Sequence, residues 1–255
     1  IRAGNTVRQS YPALHSLLQR RRGQRVLDVG CGGGWFANTL AAHYGAEIHG
    51  VDLCDHALGF ARGVSAELGA SDRVVFHQRD LFALTAASLG GAPFDIVNSL
   101  GVLHHTHDCR AALLQVLPLV GPGGFLHLGL YHLHGRRPFL EMFADIRSCL
   151  DADRTDLGWR RLEAEAFAQY RRLYPPTVTD ETLLWSWCRD QVLHPPETQH
   201  TVREVYDWLT GADFDCVTTS LAKFEPVDDW PAVFRAEEQL AEVSYRKNVV
   251  ESTYY

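Results

Sequence analysis

Over residues 23–130 the chain alternates short, mostly apolar runs with longer amphipathic ones. The apolar runs, at 25–29, 47–51, 74–78, 94–99 and 124–130, have the length of strands, and their lack of polar alternation predicts a sheet covered on both faces. Between them, apolar residues recur three or four apart: Phe36, Leu40 and Tyr44; Ala57, Ala61, Val64 and Leu68; Leu113, Val116, Leu117 and Val120. That spacing predicts crossover helices, and strands alternating with helices predict a parallel α/β sheet. Asp108 is placed to cap the third helix and Gly121-Pro122-Gly123-Gly124 to end it.

Beyond residue 130 no strand pattern continues. Phe139, Phe143, Ile146 and Leu150 form one helical stripe, with Pro138 at a first helical position, and Trp159, Leu162, Ala166 and Tyr170 form another. Pro175-Pro176 then separates a third helix carrying Leu183, Leu184 and Trp187. Thr201 and Glu204 make a capping box for a helix burying Val202, Val205, Tyr206 and Leu209, Gly211 stops it, and 214–221 reads as a further strand. The expected organisation is an N-terminal helical segment (1–22), a core (23–130), a helical insertion (131–200) and a C-terminal completion of the core (201–255).

Charge narrows the partners. A net charge of -7 disfavours nucleic acid and anionic membranes, which demand clustered Lys and Arg, and favours a small molecule. The clusters Arg20-Arg21-Arg22, Arg136-Arg137 and Arg171-Arg172 read as solvated helix faces. No apolar run reaches the roughly 18 residues of a membrane span, and the first residues lack a signal-peptide pattern, so a cytoplasmic location is expected. Six cysteines without a C-x-x-C pair read as reduced thiols. Asp190, His194, Glu197 and His200 are metal-ligand types, but Pro195 and Pro196 preclude the helical His-Glu-x-x-His geometry, and no metal is expected.

The strongest chemical signal is the segment from Val26 to Ala37, a strand running into Gly30-Cys31-Gly32-Gly33-Gly34 and then a helix. Glycines there let a ligand approach the strand end and the helix N-terminus closely. Gly32, Gly34 and Ala37 also match the looser dinucleotide pattern, so glycines alone do not decide the ligand. Asp28 does more. A carboxylate two residues before the first glycine favours an ammonium and would repel a diphosphate. Asp52, closing the second strand, can accept from both ribose hydroxyls.

Asp28 with Gly30, Gly32 and Gly34 resembles motif I of the class I S-adenosylmethionine-dependent methyltransferases. Arg79-Asp80-Leu81 resembles their adenine segment, 94–105 their motif IV, and 117–130 the lead into their fifth strand; Gly121 departs from the Lys that many relatives have there. The resemblance implies a Rossmann-like, seven-stranded α/β sheet with a helical lid. It implies S-adenosyl-L-methionine as cofactor and S-adenosyl-L-homocysteine as product, held by Asp28, Gly30, Cys31, Gly32, Gly34, Asp52, Leu53, Asp80, Leu81 and Asn98.

His104 and His105 follow the fourth strand at the edge where α/β folds bind ligands, and imidazole titrates in the range of a general base. They are the candidate bases, with Tyr131 a further catalytic candidate; His107, His132 and His134 rank below them. The expected reaction is methyl transfer to the O, N or C of a small organic acceptor of specialised metabolism. Two rivals exist: the same fold using bound S-adenosylmethionine without transfer, as in a cyclase or decarboxylase, and a scaffold with a vestigial site, which the intact Asp28, Asp52 and Asp80 argue against. The insertion is expected to start over the carboxyl edge of the sheet, with Tyr131, His194 and His200 near the acceptor. Its aromatics, including Trp185 and Trp187, either line that site or hold the helices together.

Overall fold

The computed structural model describes residues 3–20, 23–150, 156–194 and 197–243. Arg21, Arg22, Pro195, Pro196 and the last residues of the C-terminal segment lie outside the described residues. The chain divides into two units, residues 1–130 with 206–228, and residues 131–205 with 229–255. The segment 201–255, read from sequence as one completion of the core, is thus shared between both.

In the first unit, α1 (Ala3–Ser10) and α2 (Pro12–Arg20) precede β1 (Arg25–Val29), α3 (Trp35–Tyr44), β2 (Glu47–Asp52), α4 (Asp55–Glu67), β3 (Val74–Gln78), β4 (Phe94–Leu100), α5 (Cys109–Val116) and β5 (Val120–Gly129). The strands pair in parallel in the order β3-β2-β1-β4-β5. Order reverses between β1 and β4, which places a crevice beyond their carboxyl ends, where doubly wound sheets bind ligands. Strand alternation sends Val26 and Leu27 into two different cores. Val26, Ile48 and Ile96 pack under α1, α2 and α3, whereas Leu27, Val29 and Val97 pack with α5 and with Trp208 and Phe214.

Among the described residues the sheet has five strands, not seven. Residues 214–221 give one antiparallel bridge, Thr218 with Pro226. A 3-10 turn at Ser220–Ala222 and left-handed Lys223 and Phe224 reverse the chain before a ladder can extend. Three local readings also shift. Helix α4 buries Leu58, Ala61 and Ser65, and leaves Leu68 exposed, because its buried face lies one residue along from the Ala57 stripe. Helix α5 ends at Val116, and Gly121 to Gly124 lie inside β5, where the register jumps from Phe94 opposite Val120 to Ile96 opposite Phe125. The glycines allow this bulge: a Cβ on Gly124 would stand 2.9 Å from the Asp95 carbonyl oxygen. The Asp108 cap forms as read, its carboxylate accepting from the Ala111 amide at 2.8 Å.

The second unit is helical: α6 (Leu133–Met142), α7 (Ala144–Ser148), α8 (Asp156–Arg171), α9 (Glu181–Cys188) and α11 (Trp230–Val243), with α10 (Val202–Thr210) crossing the boundary between units. Pro138 sits inside α6 rather than at its start, since the His132 ring caps the helix a turn earlier by accepting the Gly135 amide at 3.1 Å. Phe139, Phe143, Ile146, Leu162, Ala166 and Tyr170 share one core, Trp185 stacks on Phe167 at 4.0 Å, and Trp187 packs against Tyr174 at 5.8 Å. These contacts hold the helices to one another. Half of the capping box forms: Thr201 accepts the Glu204 amide at 3.1 Å, but the Glu204 carboxylate turns to His200 at 3.0 Å.

Candidate functional site

The glycine loop is clasped by the end of β2. The amides of Gly30 and Cys31 donate to the Val51 carbonyl at 2.7 and 3.0 Å, and the Gly32 amide donates to Asp52 Oδ2 at 2.8 Å. Asp52 Oδ1 accepts the Cys54 amide, also at 2.8 Å, so one carboxylate ties the loop to the start of α4. Two of its lone-pair positions remain for outside donors. Gly34 closes the loop in a left-handed conformation at φ 73°, and a Cβ there would meet Ala61 Cβ at 2.7 Å. Only glycine lets α3 and α4 pack this closely.

Beneath the loop, Asp28 is buried. Asn98 Nδ2 donates to its Oδ1 at 2.7 Å, while Oδ2 is buried with no hydrogen-bond partner of good geometry. Burial pushes the carboxyl up to about 7, opposed by the Asn98 hydrogen bond and the Ala37 backbone and assisted by the charge of Asp52. Burial, with Asp28 and Asp52 nearby, also holds the Cys31 thiol far above its ordinary range, so it stays protonated.

Leu53 is 66% exposed beside Asp52. Asp80 caps a 3-10 turn at Leu81–Ala83 by accepting the Phe82 amide at 2.9 Å; its strand end adjoins Asp52 through the Arg79 amide, which donates to the Asp52 carbonyl at 3.1 Å. Leu81 is half-buried against the core. His104 and His105 occupy a 3-10 turn directly after β4, His104 sealed from solvent and His105 half-buried, with their rings 4.3 Å apart. The fold therefore makes two hydrogen-bonded sets, Asp28 with Asn98 and Asp52 with the Gly32 and Cys54 amides, and sets Asp80 at the neighbouring strand end.

A family model described as a methyltransferase domain matches residues 20–153, just over half of the chain. The chain belongs to the class I S-adenosylmethionine-dependent methyltransferases. A ubiquinone biosynthesis O-methyltransferase of Paraburkholderia phymatum is 35% identical over 122 residues, covering 48% of this chain and 49% of that protein. An uncharacterized protein of Synechococcus sp. is 29% identical over 228 residues, 82% of this chain and 52% of that protein. The chain spans about half the length of the curated relatives it matches. The solved structure of PKMT2 from Rickettsia typhi, in complex with AdoHcy, superposes with a TM-score of 0.56 at 16% identity over 87% of this chain and 46% of that one; this is a likeness of fold.

The cofactor of this methyltransferase family is S-adenosylmethionine, and the site suits it. The unpartnered, buried Asp28 oxygen calls for a donor, Asp52 retains two acceptor positions, and the space beside Gly32 is open, with no atom within 4 Å of where a Cβ would stand.

Tyr131 belongs to the second unit. Its ring lies on the Arg136 guanidinium at 4.1 Å, and burial pushes its phenol up to about 12. Glu197 is the buried partner of Arg136, and His200 lies between Thr198 Oγ1 at 2.8 Å and Glu204 at 3.0 Å. Among the described residues no group of three or more His, Cys, Asp or Glu is arranged to hold a metal. Sequence reasoning missed His127 of β5, whose Nδ1 meets Asn98 Oδ1 at 2.7 Å. It also missed Glu237, which accepts from His132 Nε2 at 2.6 Å and from the Val202 amide. A histidine inside an otherwise apolar strand was the available signal for the first; none existed for the second.

Proposed function

We propose that this chain transfers the methyl group of S-adenosylmethionine to a small-molecule acceptor. The observation that carries the reading is the Asp52 clasp: one carboxylate organises the glycine loop and still offers acceptors at the nucleoside end, above a buried Asp28 short of a donor. Bound there, the cofactor supplies an electrophilic sulfonium methyl. The chain's own task is to fix the reacting partners in line and exclude water. Asp28, Asp52, Asp80 and the loop amides hold the cofactor. His105, the more accessible of the histidine pair, is the group we assign to take a proton from a hydroxyl or amine acceptor, and His104 supports the turn.

Three observations support a small acceptor in the cytoplasm. The net charge of -7 opposes a polyanion, similarity extends to O-methyltransferases of ubiquinone biosynthesis, and all six cysteines are free thiols. Among the described residues no helix is long and apolar enough to cross a membrane.

The test is thermal. Saturating S-adenosylhomocysteine should raise the melting temperature by several degrees, because a ligand that binds only the folded state stabilises it, and NAD should not. Methyl-labelled S-adenosylmethionine offered with phenol, amine and carboxylate acceptors should then place label in product. Stabilisation by NAD in place of S-adenosylhomocysteine would overturn the reading.

A further inference from the structure

Three polar side chains stand in a row across the middle of the sheet. Parallel register sets Asp28 opposite Asn98 and Asn98 opposite His127, and side chains opposite one another on neighbouring strands point to the same face. Asn98 Nδ2 reaches Asp28 Oδ1 at 2.7 Å, and Asn98 Oδ1 meets His127 Nδ1 at 2.7 Å. Tyr11 sets its ring edge-on to His127, with centroids 4.9 Å apart, and Phe36 lies at 6.3 Å. Such a row is costly in a sheet core unless every hydrogen bond is made, so its members are constrained together.

The chemistry of each group gives the row a direction. Against the ionised Asp28, which only accepts, the Asn98 group facing it is its NH2, which turns the Asn98 carbonyl toward His127. Nδ1 of His127 must then carry the proton. Burial lowers this imidazole to about 4, so it is neutral near pH 7 and has one N–H, committed to Asn98. At the far end Oδ1 of Asp28 is held as an acceptor, and Oδ2 is the oxygen left to take a proton or a ligand's donor.

We propose that His127 is a positioning residue of the cofactor site, acting through Asn98 to reserve Asp28 Oδ1 as an acceptor so that Oδ2 answers to the bound cofactor. The inference rests on the methyltransferase reading. The groups facing Asp28 are Asn98 from β4, the Ala37 amide from α3, the Asp52 carboxylate from β2 and the Cys31 thiol; those facing His127 are Asn98, Tyr11 and Phe36. Without the His127 donor, the Asn98 amide is free to turn and offer its oxygen to a protonated Asp28. That stabilises the acid form, so a cationic ligand has to displace a more tightly held proton.

Calorimetric titration of S-adenosylhomocysteine from about pH 6 to 8.5 tests this on wild type, His127→Leu and His127→Gln, with the His127 tautomer read by 15N NMR in wild type. Wild-type affinity should rise with pH. In His127→Leu the midpoint should move up by about one unit, giving about fivefold weaker binding near pH 7 and about tenfold weaker in acid, with recovery at high pH. His127→Gln, whose amide keeps an N–H donor, should restore most of the loss. A folded Leu variant with wild-type affinity and midpoint overturns the proposal, as does an Nε2–H tautomer in wild type. If the Leu variant does not fold, the wild-type tautomer decides alone, Nδ1–H supporting the row and Nε2–H overturning it. Absence of S-adenosylhomocysteine binding by wild type at every pH is a different failure: it removes the functional reading and this proposal with it.

Discussion

Arg136 and Glu197 meet fork to fork with both side chains sealed from solvent, Nε to Oε1 at 3.0 Å and Nη2 to Oε2 at 2.8 Å. Gln191 takes a further guanidinium N–H at 2.9 Å, and the rings of Tyr131 and Phe139 cover the cation at 4.1 and 4.5 Å. Arg147 adds a second positive charge 3.5 Å from Glu197. Burial pushes the Glu197 carboxyl up, but the Arg136 hydrogen bonds and charge, with Arg147, pull it below the ordinary carboxylate range.

Removing one partner should therefore cost more than removing both. Glu197→Ala leaves a buried guanidinium without its counter-charge and is expected to destabilise the chain by about 3 to 5 kcal/mol. The double change Arg136→Met with Glu197→Leu should lose less than that single change. Urea unfolding measures both; a double variant weaker than Glu197→Ala would show that the pair is worth more than its packing.

Gly34→Ala should damage both fold and site. The residue sits at φ 73°, and its new methyl would stand 2.7 Å from Ala61 Cβ and 3.0 Å from Asn38 Nδ2. Left-handed strain accounts for about 1 to 2 kcal/mol, and the overlap adds to it by prising α3 from α4. S-adenosylhomocysteine affinity is expected to fall by about tenfold or more, 1.4 kcal/mol per decade. Equal affinity in calorimetry would count against the loop as the binding element.

Asp52→Ala should weaken S-adenosylhomocysteine binding by about 2 to 3 kcal/mol, since charge-assisted hydrogen bonds are lost. Asp52→Asn is informative because both carboxylate oxygens accept backbone amides, from Gly32 and Cys54. An Asn places an NH2 against one of those N–H groups, so the near-isosteric change should still loosen the loop. Binding unchanged in either variant would exclude Asp52 from the site.

Asp28 and His127 move stability in opposite directions with pH. With Asp28 raised to about 7, the folded chain keeps a proton that the unfolded chain sheds; this stabilisation is full in acid and is lost as pH rises through about 7. With His127 lowered from 6.5 to about 4, the unfolded chain takes up a proton that the folded one refuses, so stability falls as pH drops across that window. His49, lowered to about 4, and His77 act in the same sense as His127. Asp28→Asn removes the opposing group. Its melting temperature should fall more steeply than wild type between about pH 6.5 and 4.5, and near pH 8 it should exceed wild type by ~1 kcal/mol of stability, because no carboxylate then ionises in the core. A shallower acid limb in the variant would refute this.

Much of the first unit was legible in the sequence. The strand runs reappear as β1 to β5 within a residue or two at most ends, apart from β5, which starts at Val120. Gly30 to Gly34, Asp28 and Asp52 stand together because strand, turn and helix follow one another along the chain, and local φ requirements and apolar periodicity are written in neighbouring residues. The seven-stranded expectation failed at 214–221, where an apolar run alone could not reveal that left-handed Lys223 and Phe224 would reverse the backbone.

By itself, then, the sequence determined the element types and the glycine loop, which depend on residues close in the chain, and its alternation of strands with helices implied a parallel sheet. Tertiary structure alone decided the register that lines up Asp28, Asn98 and His127, the pairing of Arg136 with Glu197 across 61 residues and that of His132 with Glu237 across 105. The physical reason is that a side chain's partner across such separations is chosen by packing and desolvation in three dimensions: a buried charge or amide must find its complement wherever the fold delivers one, and no local pattern encodes where that is.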